Sequence, residues 1–144
     1  MTEHVFYAFT IPGAPRGKGR PKFARRGDFV MTYTDDKTSS YENLVTLACR
    51  EVMAGRPPIE GPVWLQVNAT FAIPASASKG KKLEMIMGRV VPTKKPDLDN
   101  IVKAVLDGLN TVAFVDDAQV THISAAKNYG HQPGVWLRVE AASV

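Results

Sequence analysis

The chain has 144 residues, enough for one domain with a hydrophobic core of its own. Apolar residues make up 44% and charged residues 22%, globular values that exclude a low-complexity or disordered chain. Cys49 is the single cysteine, so no intrachain disulfide can form; no secretory leader or membrane span is legible, and a cytoplasmic protein is expected.

In chain order, His4–Ile11 is apolar and aromatic-rich and predicts a first strand, broken by Pro12-Gly13-Ala14-Pro15. RGKGRPKFARRGDF is glycine-rich and basic, too polar for core, and reads as a surface loop; Val30–Tyr33 follows as a short strand. Thr38–Gly55 has helical spacing, with Tyr41, Leu44, Val45, Leu47, Ala48 and Val52 on one broad face, Ser39 or Ser40 as cap and Gly55 as stop. Val63–Ile73 alternates as a strand with one buried face. A short helix is placed around Lys82–Met87. From Leu98 the residues Ile101, Val105 and Leu109, with Leu98, Val102 and Leu106, form a wide apolar stripe opposite Asn100, Lys103, Asp107 and Asn110, an amphipathic helix. Val120–Tyr129 and Val135–Ala141 complete the pattern as two strands around the turn Gly130–Gly134. The mixed order predicts a single α+β domain spanning 1–144, its largely antiparallel or mixed sheet carrying helices on one face.

The net charge of +4 is modest, but its distribution is not even. Arg16, Lys18, Arg20, Lys22, Arg25 and Arg26 form one basic stretch without acids; Lys79, Lys81, Lys82, Arg89, Lys94 and Lys95 form a second, with Glu84 the one acid among them. Asp97, Asp99, Asp107, Asp116 and Asp117 follow directly. Basic tracts beside an acidic cluster suit a metal-dependent enzyme acting on a polyanion; solvated loops around a capped helix would give the same pattern.

Two carboxylates one residue apart repel, so Asp97 and Asp99 need a compensating interaction. One helix needs one cap, and the two cannot share that position. Mg²⁺ would supply the compensation, since it takes one or two carboxylates with water and phosphate oxygens. Asp116 or Asp117 could add a ligand, and Lys103, one turn after Asp99, could contact a phosphate oxygen. Other motifs are absent: Ile101 and Val102 fall where an EF-hand needs an oxygen ligand and a glycine, there is no phosphate-binding glycine loop, and His4, His122 and His131 show no zinc spacing.

KPDLDNIVKAVLDGLN, a short link and DDAQV resemble the RusA family of Holliday junction resolvases, endodeoxyribonucleases common in phages and prophages. IPGAPRGKGRPKF and YTDDKTSSYE resemble its longer phage-type members. The resemblance implies a homodimeric, Mg²⁺-dependent nuclease of the bacterial host cytoplasm, with Mn²⁺ able to substitute, that cuts opposed strands of a four-way DNA junction symmetrically. The family's essential carboxylates fall on Asp97, Asp99 and Asp117 and its important lysine on Lys103, with Asp116 as the neighbouring acid. Phe114-Val115 stands where members often carry Trp, Tyr or a basic residue, so no aromatic base contact is transferred. Arg16, Lys18, Arg20, Lys22, Arg25, Arg26, Lys81, Lys82, Lys94 and Lys95 are DNA-binding candidates on charge. The second helix or the strand edges are the candidate dimer contacts, and a non-catalytic branched-DNA-binding accessory protein is the alternative reading.

Overall fold

The computed structural model describes residues 4–18, 22–26, 29–33 and 36–142, with the backbone alone for those between 22 and 39. Its centre is a four-stranded mixed sheet. Strands β1 (Phe6–Pro12), β6 (Gly134–Ala141), β4 (Val63–Ala72) and β5 (Val120–Gly130) lie side by side in that order. β6 is antiparallel to both neighbours, whereas β4 and β5 run parallel. The fold is α+β, as expected, with helices α1 (Asp36–Met53), α2 (Lys79–Ile86) and α3 (Leu98–Leu109).

The period-2 alternation decides which face is core. Phe9, Leu137, Val67 and Ala125 pair across the sheet in one row, and Tyr7, Ile11, Val63, Leu65, Ala69, Val135 and Val139 share their buried side. α1 and α3 cover this side. On α3 the innermost stripe is Ile101, Val105 and Leu109, each fully buried and worth roughly 1.5–3 kcal/mol. Leu98, Val102 and Leu106 lie at its margin, half-buried. The two helices cross at Gly108, where a Cβ would stand 2.6 Å from Val45 Cβ and 2.8 Å from the Glu42 carbonyl oxygen. Thr46 Oγ1 donates to the Gly108 carbonyl at 2.6 Å in the same crossing.

Four expectations change. The basic stretch is not all loop: β2 (Lys22–Arg26) pairs antiparallel with β3 (Phe29–Tyr33) as a separate hairpin. The backbone of 29–33 supplies the partner strand for 22–26. Helix α1 begins at Asp36, so Ser39 and Ser40 lie inside it and cannot cap it. Its buried stripe is Tyr41, Val45, Cys49 and Met53, spaced by four, while Leu44, Leu47 and Val52 are exposed. Its end is as expected, with Ala54 and Gly55 at positive φ. The last two strands are not neighbours either, because β4 lies between them and residues 131–133 pass its end. At that crossing a Cβ on Gly130 would meet Thr70 Cγ2 at 2.7 Å.

Candidate active site

Asp97 occupies the N-cap position of α3 with extended backbone (φ −66°, ψ 147°), and its carbonyl accepts Ile101 N–H at 3.0 Å. Its carboxylate, however, makes no capping hydrogen bond. The side chain is exposed and leaves the first-turn N–H groups alone, at the one position where an aspartate usually bonds to the helix. Asp99 follows in the first turn, also exposed, where the helix dipole favours an anion. Lys103 stands one turn on, exposed, and Asp107 a turn after that. The outward side of α3 thus alternates acid, base, acid.

The chain leaves α3 at Asn110 through Thr111, a β-branched residue at φ 65°, a region that costs such residues roughly 1–3 kcal/mol. Phe114 is fully buried. A short 3-10 helix, Asp117–Gln119, then presents the aspartate pair. Two amide side chains hold it. Asn110 Oδ1 accepts the Asp117 N–H at 3.1 Å. Gln119 Oε1 accepts the Val115 and Asp116 N–H groups at 2.8 and 2.9 Å, while its Nε2 donates to the Ile59 and Gly61 carbonyls at 2.8 and 2.9 Å. All four hydrogen bonds available to a glutamine amide are made.

Asp116 and Asp117 crowd one another. A shared hydrogen bond with Asp116 comes first in raising the Asp117 carboxyl above the ordinary range; slight burial and the negative charges of Asp116 and Asp107 follow. The segment before α3 is tied down as well. Lys127 on β5 donates to the Lys94 carbonyl at 2.6 Å, and its ammonium lies 5.1 Å from the Phe71 ring centre.

The structure separates the basic candidates. Lys94 and Lys95 are exposed beside Asp97, and Lys81 is exposed on α2 with Lys82 half-buried. Arg16 is exposed near Tyr41, whose hydroxyl is buried without a partner among the described residues and pushed up to about 12 by that burial. Lys18 points elsewhere: its ammonium contacts Asp107, with Glu42 at 3.7 Å, and its N–H donates to the Asn100 carbonyl at 3.0 Å. Gly17 makes this approach possible, since a Cβ there would stand 2.9 Å from Asn100 Cβ. Arg20 and the side chains of Lys22, Arg25 and Arg26 lie outside the described residues.

Among the described residues no three His, Cys, Asp or Glu side chains converge as an all-protein cage for an ion. The donor chemistry is that of a sparsely held hard cation, where one or two carboxylates suffice and water and phosphate complete the shell. An Asp97 carboxylate that does not cap its helix and the mutual repulsion of Asp116 and Asp117 fit such an ion.

Residues 12–140 match the family model for Endodeoxyribonuclease RusA. The chain belongs to the RusA family. It is also similar to YqaN of Bacillus subtilis (strain 168), an uncharacterized protein, at 34% identity over 139 residues, 94% of this chain and 96% of the relative. RusA membership supports a nuclease and branched DNA as its ligand. No helix among the described residues is long and apolar enough to cross a membrane.

Sequence reasoning missed Asn110, Gln119 and Lys127 as supports of the acidic segments. Only Gln119 had a signal: three residues after Asp116, it stands at the spacing of a capping box.

Proposed function

We propose that this RusA-family chain is a divalent-cation-dependent endonuclease that resolves four-way DNA junctions by paired symmetric cuts, acting as a homodimer. The observation that carries the reading is the Asp97 carboxylate, placed at a helix start and not used to cap it.

Asp97, Asp99 and Asp117, with Asp116 beside them, would hold Mg²⁺. When bound, the ion polarises the phosphoryl group and lowers the pKa of a coordinated water. The residues of the chain supply the rest. Lys103, exposed one turn from Asp99, offsets negative charge on the reacting phosphate. Lys94 and Lys95 bind flanking phosphates, and Lys81 and Lys82 extend that basic surface. Asn110 and Gln119 keep the Asp116–Asp117 backbone in place while charge develops nearby. The reaction forms one bond from water oxygen to phosphorus and breaks one from phosphorus to a sugar oxygen, which takes up the proton.

Incubation with a synthetic four-way junction, with Mg²⁺ or with EDTA and beside linear duplex and single-stranded controls, tests the reading. Paired nicks confined to the junction and to Mg²⁺ are expected. Tight junction binding without cleavage under Mg²⁺ and Mn²⁺ would instead identify a non-catalytic branched-DNA-binding accessory protein. Preferential cleavage of flaps or RNA would remove the junction specificity.

A further inference from the structure

Helix α2 keeps its apolar residues on the outside. Met85 is its one buried residue, whereas Leu83 and the C-cap Met87 are each 54% exposed and Ile86 is 40% exposed. Val91, just beyond the helix, is exposed as well. A helix of eight residues is shorter than the ~12–15 that persist alone in water, so its ends are fixed. Ser78 Oγ accepts the Lys81 N–H at 3.2 Å, and Gly88, at φ 78°, donates its N–H to the Met85 carbonyl at 3.1 Å. The caps thus hold an apolar edge in water. Beside it lies an open groove of about 450 Å³, lined on its apolar part by Ile73, Leu83 and Ile86 and elsewhere by Lys79, Lys82 and His131. We infer that this edge is a wedge for unstacked bases at the branch point of DNA, with Lys79 and Lys82 on the flanking phosphates, an inference that rests on the branched-DNA reading above.

Charge selects the occupant. Lys79, Lys81 and Lys82 stand on α2 against one acid, Glu84, and Arg89 already answers that acid at 3.1 Å. Lysine is depleted at the core of protein interfaces, and a second copy of this chain would bring the same lysines and a net charge of +4 with it. A polyanion suits the lysines, but phosphates alone offer nothing to Leu83 and Ile86. An intact duplex hides the faces of its bases in the stack. A branch point interrupts the stack and opens those faces, and Leu, Ile and Met are side chains that DNA-binding proteins press between base steps. Branched DNA therefore satisfies both halves of the surface.

The wedge is also well placed. Residues 88–96 lead directly from α2 to Asp97, and the Lys127 hydrogen bond to the Lys94 carbonyl ties that segment to β5. Three residues, roughly 10 Å at ~3.3 Å each, separate Lys127 from Gly130, and His131 on the groove follows at once. A DNA strand held at Lys94 and Lys95 reaches the groove within a few steps of ~3.4 Å. The lysines then supply affinity for any DNA, while Leu83 and Ile86 favour DNA whose bases are already unstacked.

A four-way junction carrying 2-aminopurine at the branch point tests this, in EDTA so that no strand is cut. Emission of this base analogue rises as it leaves the stack, and the wild type should raise it. Leu83→Gln with Ile86→Gln keeps side-chain length and helix propensity. This variant should bind linear duplex as the wild type does, lose the emission rise, and lose about tenfold of its preference for junction over duplex. Lys79→Ala with Lys82→Ala should do the reverse, weakening both DNAs while the rise persists at saturation. Far-UV circular dichroism checks folding; if the double glutamine variant does not fold, Leu83→Gln alone should show a smaller loss of preference in the same direction. A folded glutamine variant with an unchanged rise and preference would overturn the inference. So would a glutamine variant whose sedimentation changes without DNA, because the edge would then be a contact between copies. A wild type that raises emission through Leu83 and Ile86 yet cuts no junction in Mg²⁺ would defeat the nuclease reading and leave the wedge standing; junction cleavage without any emission rise would do the opposite.

Discussion

The side-chain oxygen of Gln119 accepts the backbone N–H of Asp116 at 2.9 Å, and the nitrogen of the same amide binds the Ile59 and Gly61 carbonyls. One side chain thus couples the aspartate pair to the segment that leads into β4. Gln119→Glu keeps the shape and removes both donors, setting a carboxylate against two carbonyl oxygens. The expected cost is about 1–3 kcal/mol of stability from the mispaired groups. Cleavage should fall by about 10–100-fold with a raised Mg²⁺ requirement, the usual result of losing a group that orients ligands. A Mg²⁺ titration of junction cleavage, beside a denaturant melt, checks both. Loss of stability with an unmoved Mg²⁺ midpoint would make Gln119 a purely structural clamp.

Asp97→Asn should abolish cleavage and leave junction binding equal or tighter, because it removes an anion beside the phosphate. Stability should stay within about 0.5 kcal/mol of the parent. The ordinary cap loss of ~1 kcal/mol does not apply to a carboxylate that makes no cap bond. Relief of repulsion from Asp99 favours the variant, and loss of an anion at the helix start opposes it. Gel-shift binding and thermal melts of the metal-free protein measure these. A melting temperature several degrees lower would show that the carboxylate is structural.

How much of this site was legible beforehand depended on the range of the interaction. Asp97, Asp99 and Lys103 could be placed on α3 because a helical period of 3.6 fixes neighbours within one element. The pairing of Lys18 with Asp107 could not be read, since 89 positions separate them and only the packing of Gly17 on Asn100 brings them together. The strand β2 was hidden for a similar reason: nothing in KFARR alternates by polarity, and its hydrogen bonds come from Phe29–Tyr33. The insertion of β4 between the last two strands is a property of topology that no local pattern carries.

Lys18 and the lysine pair before α3 should behave differently, although both belong to basic stretches. Lys18→Met leaves Asp107 and Glu42 facing each other, and Glu42 Oε1 is already buried without a hydrogen bond among the described residues. We expect a loss of about 1 kcal/mol, moderated by solvent because these side chains are a fifth to a third exposed, and little change in the salt dependence of DNA binding. Lys94→Ala with Lys95→Ala should preserve stability and flatten the log–log salt slope by about 0.9 for each lost phosphate contact. Equal slopes for both variants would return Lys94 and Lys95 to the solvated surface.

Asp117 should titrate above the ordinary aspartate range in the metal-free protein, chiefly through its hydrogen bond with Asp116. A carboxyl whose folded pKa is raised is protonated more readily in the folded chain. Its contribution therefore favours folding below the unfolded value near 3.8, and that advantage is lost as pH rises through the folded value. Asp116→Asn removes the neighbouring charge and should bring Asp117 back toward its usual value. Carbon-detected titration of the Asp117 carboxyl in both proteins reads the shift directly. An Asp117 that titrates identically in the two would show that the pair is not coupled.

Gly108→Ala probes the frame on which the acids stand. The added methyl would stand 2.6 Å from Val45 Cβ and 2.8 Å from the Glu42 carbonyl oxygen of the same helix, a backbone atom that cannot yield as a flexible side chain would. Alanine is better than glycine inside a helix by up to about 1 kcal/mol, so a free helix would gain from the change. Here overpacking should win, with a net destabilisation of about 1–3 kcal/mol as α1 and α3 are forced apart. Cleavage by the surviving folded fraction should fall as well, because α3 carries Asp99 and Lys103 and moves as one rigid rod. A denaturant melt that finds Gly108→Ala as stable as the parent would mean that the two helices do not approach this closely in solution.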